Sequence, residues 1–423
     1  MDIYKLIYIV IIISFSFMLL RAKWSTFVLL YIVLFPMGNI FPEEAILIKG
    51  LGVVEALSLF LILKYLLTFK SILKPPTRIH KLAISLTFFF VVIYLGTFYI
   101  KHYSLYGLGG VSLTTLIIRV FKLILLFYSI RFIIITSNIP SVFKQIKNGL
   151  IFSIVFYSGM VFLSDILLQT DLSIVPGTTM DSSKTLTYWG KRNVGMFSGD
   201  SQYFSHYMVV GFGFVLALYE RKKQLNYLFI SALILSAIIY TASRSGVITF
   251  FIIIIFYTLK NTKRNFFSTF IIFLLMISVL YTLGDFLLER IILLITNVST
   301  GDTNRQVFQL FYLNEMYENP SIFLTGYLQK SSLFRWRVPH NQYFGMVFWG
   351  GIPYLLIFLT ILLKIYKNSI KSLKNTKDSL SGLYPFLGFV IPYLFNPNEF
   401  VIYFTLILSI SYKYSNITRH SLK

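Results

Sequence analysis

Two stretches, Ala83–Ile100 and Phe266–Leu283, contain no charged residue, and they set the first limit on what the chain can fold into. A hydrocarbon core about 30 Å thick takes about 20 such residues as one helix. Within lipid every backbone polar group must be bonded internally, which leaves helices or closed barrels. A barrel needs strands of alternating polarity, and these runs do not alternate. The expectation is therefore an all-α, polytopic transmembrane helix bundle. The composition agrees: 56% of the 423 residues are hydrophobic, 18% aromatic and only 13% charged, which does not describe a soluble surface.

The chain carries 38 Lys and Arg against 16 Asp and Glu, a formal charge of +22. In a soluble protein such an excess suggests nucleic acid; here its placement excludes that partner. Basic residues recur in every second connection: Arg21 and Lys23; Lys70, Lys74, Arg78 and Lys81; Arg131, Lys144 and Lys147; Arg221 to Lys223; Lys260 to Arg264; Lys364 to Lys377; Lys413 to Lys423. That is the positive-inside pattern, and it makes those connections cytoplasmic. Among acidic residues only Glu220 and Asp378 then fall on the cytoplasmic side. The absence of cysteine excludes disulfides, thiolate metal sites and thiol nucleophiles, and five scattered histidines make no metal site. No metal and no cofactor are expected.

Alternating the connections gives thirteen apolar segments at about 3–20, 24–40, 45–68, 82–100, 112–135, 149–168, 203–219, 226–242, 246–259, 266–284, 342–363, 382–395 and 399–412. The N-terminus is then outside and the C-terminus inside. The first segment has no small-x-small cleavage site before Arg21 and reads as an uncleaved span. Asn396–Pro397–Asn398 between the last two allows one re-entrant hairpin instead, so the count ranges from twelve to fourteen. The regions are an N-terminal bundle (1–168), a first external loop (169–201), spans around a Ser-Arg-Ser-Gly turn (202–284), a large external loop (285–341) and C-terminal spans (342–423). External loops of this length are more often functional than not. In the second, 285–298 reads as an interfacial helix. Asp302 or Thr303 can cap a further helix through Glu315, which Asn319–Pro320 ends.

YTASRSGVITF, residues 240–250, sets Arg244 between two spans. An arginine there either reaches headgroup phosphates from an outer-face turn or binds an anionic ligand. Ser243, Ser245 and Gly246 bring hydroxyl and N–H groups to the same place, a combination suited to phosphate oxygens. His340 stands at the start of the 342–363 segment, as an interfacial ring or N-cap, or as a general base with a pKa near working pH; Asn341 caps the helix or orients it. Lys191 and Arg192 in the first loop, and Arg305, Arg335 and Arg337 in the second, put cations on the outer side against the positive-inside trend. Arg119 and Lys122 share a face of the fifth span and either guide an anionic ligand or pair with Glu55 or Asp165. There is no Asp-x-Asp pair, Walker loop or Gly-x-Ser-x-Gly elbow.

Four pieces of the chain resemble the bacterial O-antigen polymerase and O-antigen ligase superfamily: RNVGMFSGDSQYFSHYMVVGFGF (192–214), TASRSGVITF (241–250), NRQVFQLFYLNEMYENPSIFLTGY (304–327) and PHNQYFGMVFWGGIPYLLIF (339–358). They stand in that family's order, with a large external loop before the His-Asn segment, and cover roughly residues 190 to 365. The resemblance implies a metal-independent, inverting glycosyltransferase of lipopolysaccharide biosynthesis. It would work in the bacterial cytoplasmic (inner) membrane with its site facing the periplasm. Undecaprenyl-pyrophosphate-linked oligosaccharide would be both donor and acceptor, and a chain-length regulator and a flippase of the same pathway would be partners. Carried over by position, Arg244 and Arg305 match arginines that hold the pyrophosphate, His340 the histidine that activates the acceptor, and Arg192 a basic position ahead of a Gly-Phe element. The family commonly shows Gly-x-Phe followed by Asn or Pro. This chain has Gly195–Met196–Phe197–Ser198–Gly199–Asp200.

The leading expectation is a polymerase that joins lipid-linked repeat units; its long aromatic loops suit a sugar acceptor. A ligase transferring the polymer to lipid A-core shares the donor site. A flippase for the same glycan would put charges along several spans down to the cytoplasmic side, and here they concentrate toward the outer face. A purely structural scaffold would not need two such loops.

Overall fold

In a computed structural model of the chain, the described residues are 3–37, 52–69, 113–136, 139–169, 201–241, 243–261, 313–314, 316–318, 320–325, 343, 346–347, 351–360, 362–363 and 383–392. Among them the fold is all-α, without a strand. The helices are α1 (Ile3–Arg21), α2 (Trp24–Leu34, continued by a 3-10 turn at Phe35–Met37), α3 (Val53–Thr68), α4 (Leu113–Thr136) and α5 (Pro140–Gln169). After these come α6 (Ser201–Lys222), α7 (Asn226–Tyr240), α8 (Arg244–Asn261), the one-turn α9 (Ile322–Thr325), α10 (Gly351–Thr360) and α11 (Leu383–Val390).

Most boundaries lie within a few residues of the apolar runs. The exception at the N-terminal side is α5, which begins at Pro140 rather than near 149. Pro140 supplies a helical φ at a position whose N–H has no intrahelical partner, so the basic stretch with Lys144 and Lys147 is helical rather than a connection. Within it Pro140–Leu163 is long and apolar enough to cross a membrane, at mean hydropathy 1.6. The outward face of α1 is as apolar as its inward face: Leu6, Val10, Ile13, Phe17 and Leu20 are exposed, Leu20 to 78%. A helix hydrophobic all round suits burial or lipid, not water.

Side-chain contacts fix the helix directions. Phe15 meets Phe60, and Lys64 Nζ donates to the Leu19 carbonyl, so α1 and α3 run the same way. Glu55 reaches Lys122 and Tyr65 stacks on Phe132 at 3.9 Å, so α4 runs with α3. Ser58 donates to Tyr31, and Trp24 lies against Tyr65, so α2 opposes α3. Gly149 sits on Leu29 and Ile32, and Tyr157 donates to the Val33 carbonyl, setting α5 along α2. Ser158 donates to the Met208 sulfur while Ile154 covers Gly211, so α6 opposes α5. Ser205 meets Ser243 and Phe212 meets Phe250 at 4.0 Å, so α8 runs with α6.

At the α6–α11 crossing the two backbones come into contact. A Cβ on Gly213 would lie 2.5 Å from the Pro385 nitrogen, and one on Gly388 would lie 2.7 Å from the Val209 carbonyl oxygen. Glycine on both sides lets the two backbones touch, the small-residue packing that membrane helices favour. The order of contacts, Val209 with Gly388 and Gly213 with Tyr384–Pro385, makes α11 antiparallel to α6.

The expected single span over 342–363 is not one straight helix. Fifteen residues of helix would separate Tyr343 from Phe358 by about 22 Å, yet their ring centroids are 5.9 Å apart. The chain doubles back between them. Gly351 has φ of +73°, a conformation open to glycine and strained for other residues. A Cβ there would lie 2.5 Å from the Leu324 carbonyl. Pro353, in the first turn of α10, accepts a position with no N–H to satisfy. Gly351 and Pro353 thus start α10, with the α9 main chain set against Gly351.

Candidate functional site

Arg244 is the first residue of α8. Ser243, directly before it, is buried at 3% exposure; its carbonyl accepts the Val247 N–H at 3.1 Å, the first hydrogen bond of the helix. The Ser243 hydroxyl donates to Ser205 Oγ on α6 at 2.6 Å and lies 3.4 Å from Ser245 Oγ. Thr249, one turn into α8, donates to the Ser245 carbonyl at 2.6 Å. Gly246 makes the junction possible, because a Cβ there would fall 2.6 Å from Ser205 Cβ and 2.8 Å from Ile238 Cγ2. The hydroxyls satisfy one another in a space too tight for a larger side chain. Ser243 is therefore a packing and hydrogen-bonding residue of the junction, and the N-terminus of α8, with Arg244, is held at the level of Ser205.

The next face of α6 carries a second element to the same level. His206, Val209 and Gly213 share a face by i, i+3 and i+7 spacing, and Val209 and Gly213 are the residues that meet α11. His206, at 2% exposure, lies one turn nearer the Ser201 end. Because α11 runs opposite to α6, Val390 stands two residues, about 3 Å, beyond Gly388 toward that end. There the Tyr343 hydroxyl donates to the Val390 carbonyl at 3.0 Å. The helix start bearing Arg244 and the Tyr343 hydroxyl thus come to one height along α6, the first against Ser205 and the second at the end of α11.

Lys122 has a different setting. Its Nζ lies 3.1 Å from Glu55 Oε1 between α3 and α4, with the Lys122 side chain 24% exposed and that of Glu55 8%. Of the two roles open from the sequence, pairing with Glu55 is the one seen. Glu55 Oε2 is buried without a hydrogen-bond partner among the described residues, so Lys122 carries the compensation of this carboxylate. Along the same interface Ser129 donates to the Ser58 carbonyl at 3.3 Å, and Ser58 donates across to Tyr31 on α2 at 3.3 Å.

Arg119 stands one turn before Lys122 on α4, and Asp165 stands on α5. Lys191, Arg192, Arg305, Arg335, Arg337, His340 and Asn341 lie outside the described residues. Sequence reasoning passed over Ser205, His206 and Tyr343. A signal for the first two was present in Ser205–His206 standing ahead of Gly211–Phe212–Gly213, since paired glycines mark a crossing that brings a third helix to that face. Comparison with protein-family models, with curated proteins and with solved structures finds no match to this chain.

Proposed function

We propose that the chain is a multi-pass membrane glycosyltransferase, a polymerase that joins undecaprenyl-pyrophosphate-linked repeat units on the outer face of the bacterial cytoplasmic membrane. The observation that carries this reading is the shared height of Arg244 and the Tyr343 segment at the Ser201 end of α6. In the charge map that end faces outward. Helix directions support the same topology: α1, α3, α4, α6 and α8 run one way and α2, α5 and α11 the other, the two sets into which the basic connections sort them.

A lipid pyrophosphate is an anion at the membrane surface, and a charge-assisted contact from arginine is about twice as strong as a neutral hydrogen bond. Arg244 at a helix N-terminus adds the guanidinium to the positive end of the helix dipole. As the bond from the anomeric carbon to the pyrophosphate oxygen breaks, negative charge grows on the leaving group. Arg244, joined by Arg305 from the large loop, stabilises that charge more in the transition state than before it. The acceptor hydroxyl oxygen forms the new bond at the anomeric carbon from the opposite side, and His340 takes its proton. Undecaprenyl pyrophosphate leaves, and anomeric configuration inverts.

A chromosomal deletion followed by gel analysis of the surface glycan tests the reading. A polymerase leaves decoration with a single repeat unit. Undecorated core with polymer retained on the carrier lipid indicates a ligase instead, and loss of all external glycan with internal accumulation indicates a flippase. Complementation with Arg244→Ala or His340→Ala, at normal expression, is expected to leave the single-repeat pattern unchanged; recovery of full-length chains would remove that residue from the mechanism.

A further inference from the structure

The cytoplasmic side of the charge map gathers the end of α1, the start of α2 and the ends of α3 and α4, and cations collect there. Tyr65 stacks on Phe132, and Lys64 and Arg131 stand immediately before these two residues, so they share a height on neighbouring helices. Lys64 gives one of its three donors to the Leu19 carbonyl at 2.8 Å, and Arg21 follows about 3 Å further along α1. Lys23 precedes Trp24, whose ring lies edge-on to Tyr65 at 5.5 Å and to Phe69 at 5.9 Å, and whose Nε1 donates to Thr136 at 2.9 Å. Glu55 is the one carboxylate that the described residues of α1 to α4 contain. It is paired with Lys122 and lies about 13 Å from Lys64 along α3.

Arg131 is the cation of this group with an unmet donor. Its Nε is buried without a hydrogen-bond partner among the described residues, and its guanidinium carbon stands 6.0 Å from the Tyr128 ring centre, at the limit of a cation–π contact. Ile124 and Tyr128 share the face of Arg131 by helical spacing and are exposed, as are Leu63, Leu66 and Leu67 of α3 at the same level. An apolar strip that ends in an unpaired guanidinium has the polarity of a phospholipid. We propose that Arg131 binds the phosphate of a negatively charged phospholipid of the cytoplasmic leaflet, with Lys64, Arg21 and Lys23 supplying the surrounding positive potential. This rests on the membrane topology of the proposed function and not on its transfer chemistry. The planar fork of arginine presents paired donors to phosphate oxygens, and basic residues at the cytoplasmic surface attract anionic lipid. With the phosphate at Arg131 the acyl chains lie along Ile124 and the α3 leucines, a contact that a free phosphate ion cannot make.

The experiment titrates the full-length protein in detergent with phosphatidylglycerol, phosphatidylcholine or inorganic phosphate, and reads binding by native mass spectrometry and melting temperature by thermal unfolding. Phosphatidylglycerol is expected to bind wild type and raise its melting temperature, and the other two to do so far less. Arg131→Gln is expected to weaken phosphatidylglycerol binding about tenfold at an unchanged melting temperature in phosphatidylcholine. Arg131→Lys, which keeps the charge without the fork, should lose about threefold, and Lys144→Gln, an exposed cation of α5, should stay within about twofold of wild type. Wild-type affinity in both Arg131 variants overturns the proposal, as does equal binding of the two lipids. Inorganic phosphate matching phosphatidylglycerol overturns the lipid assignment in favour of a free anion. A wild type that stays in solution without detergent and does not enter nanodiscs overturns the topology and the lipid site together. Selective phosphatidylglycerol binding by a wild type that transfers no glycan supports the lipid site while removing the polymerase reading.

Discussion

The interface between α3 and α4 and the junction of α6, α8 and α11 both bury polar groups, and they dispose of charge in opposite ways. Between α3 and α4 the cation and the carboxylate cancel each other, Lys122 against Glu55; the hydroxyls of Ser129 and Ser58 continue the seam, and Ser58 carries it on to Tyr31 of α2. At the α6 junction the hydroxyls of Ser205, Ser243 and Ser245 satisfy one another, glycines bring backbones into contact, and Arg244 stands at a helix start. A charge neutralised inside the protein holds helices together; under the proposed function the arginine at the start of α8 instead meets an anion from outside. On that proposal the first region is framework and the second is the site.

Substitutions can break that contrast. Arg244→Ala is expected to lower transfer about 10²–10³-fold, the usual loss for one donor to a developing oxyanion, with little change in melting temperature; steady-state assays and thermal unfolding in detergent read the two effects. Lys122→Met should do the reverse. It leaves Glu55 buried without compensation and costs about 3 kcal/mol of stability, while the joint change Glu55→Leu with Lys122→Met recovers most of it. If Lys122→Met abolishes transfer in protein that remains folded, Lys122 belongs to the site and the contrast collapses.

Smaller effects sharpen the picture of the junction. Gly213→Ala forces a Cβ to within 2.5 Å of the α11 backbone and should cost about 1–3 kcal/mol. Ser243→Ala removes one hydroxyl from a mutually bonded set and should cost about 1 kcal/mol while keeping most activity; a loss as large as that of Arg244→Ala would make Ser243 a ligand rather than a packing residue. Both stabilities are read by thermal unfolding.

The helical class was legible because apolar period and length are local properties. The 3–20 run announces a helix without reference to any other segment, and α1 covers it; Ser-Arg-Ser-Gly reads as a turn before a span from 246, but the helix already starts at Arg244. The fold-back between Tyr343 and Phe358 was misread for a physical reason: an apolar run of that length fits one membrane span as well as two short elements, and only the Gly-Gly-x-Pro sequence inside it marks the break. The Lys122 pairing was open until the helices were packed, since Glu55 stands 67 positions away in sequence. Likewise the Ser205–Ser243 contact joins residues 38 apart, and nothing local to either predicts it. Tyr343 could have been suspected from its place beside His340, but its partner at Val390 could not.

The most direct test is the distance between the two sides of the site. Cysteines replacing Arg244 and His340 in this cysteine-free chain can carry a pair of spin labels, read by double electron–electron resonance in nanodiscs. If the two belong to one site, about two neighbouring helix spacings of 8–10 Å plus the label arms separate them, and a narrow distribution centred near about 20–25 Å is predicted. A distribution centred beyond about 35 Å would put the arginine and the histidine in different parts of the molecule and contradict a single outer-face site.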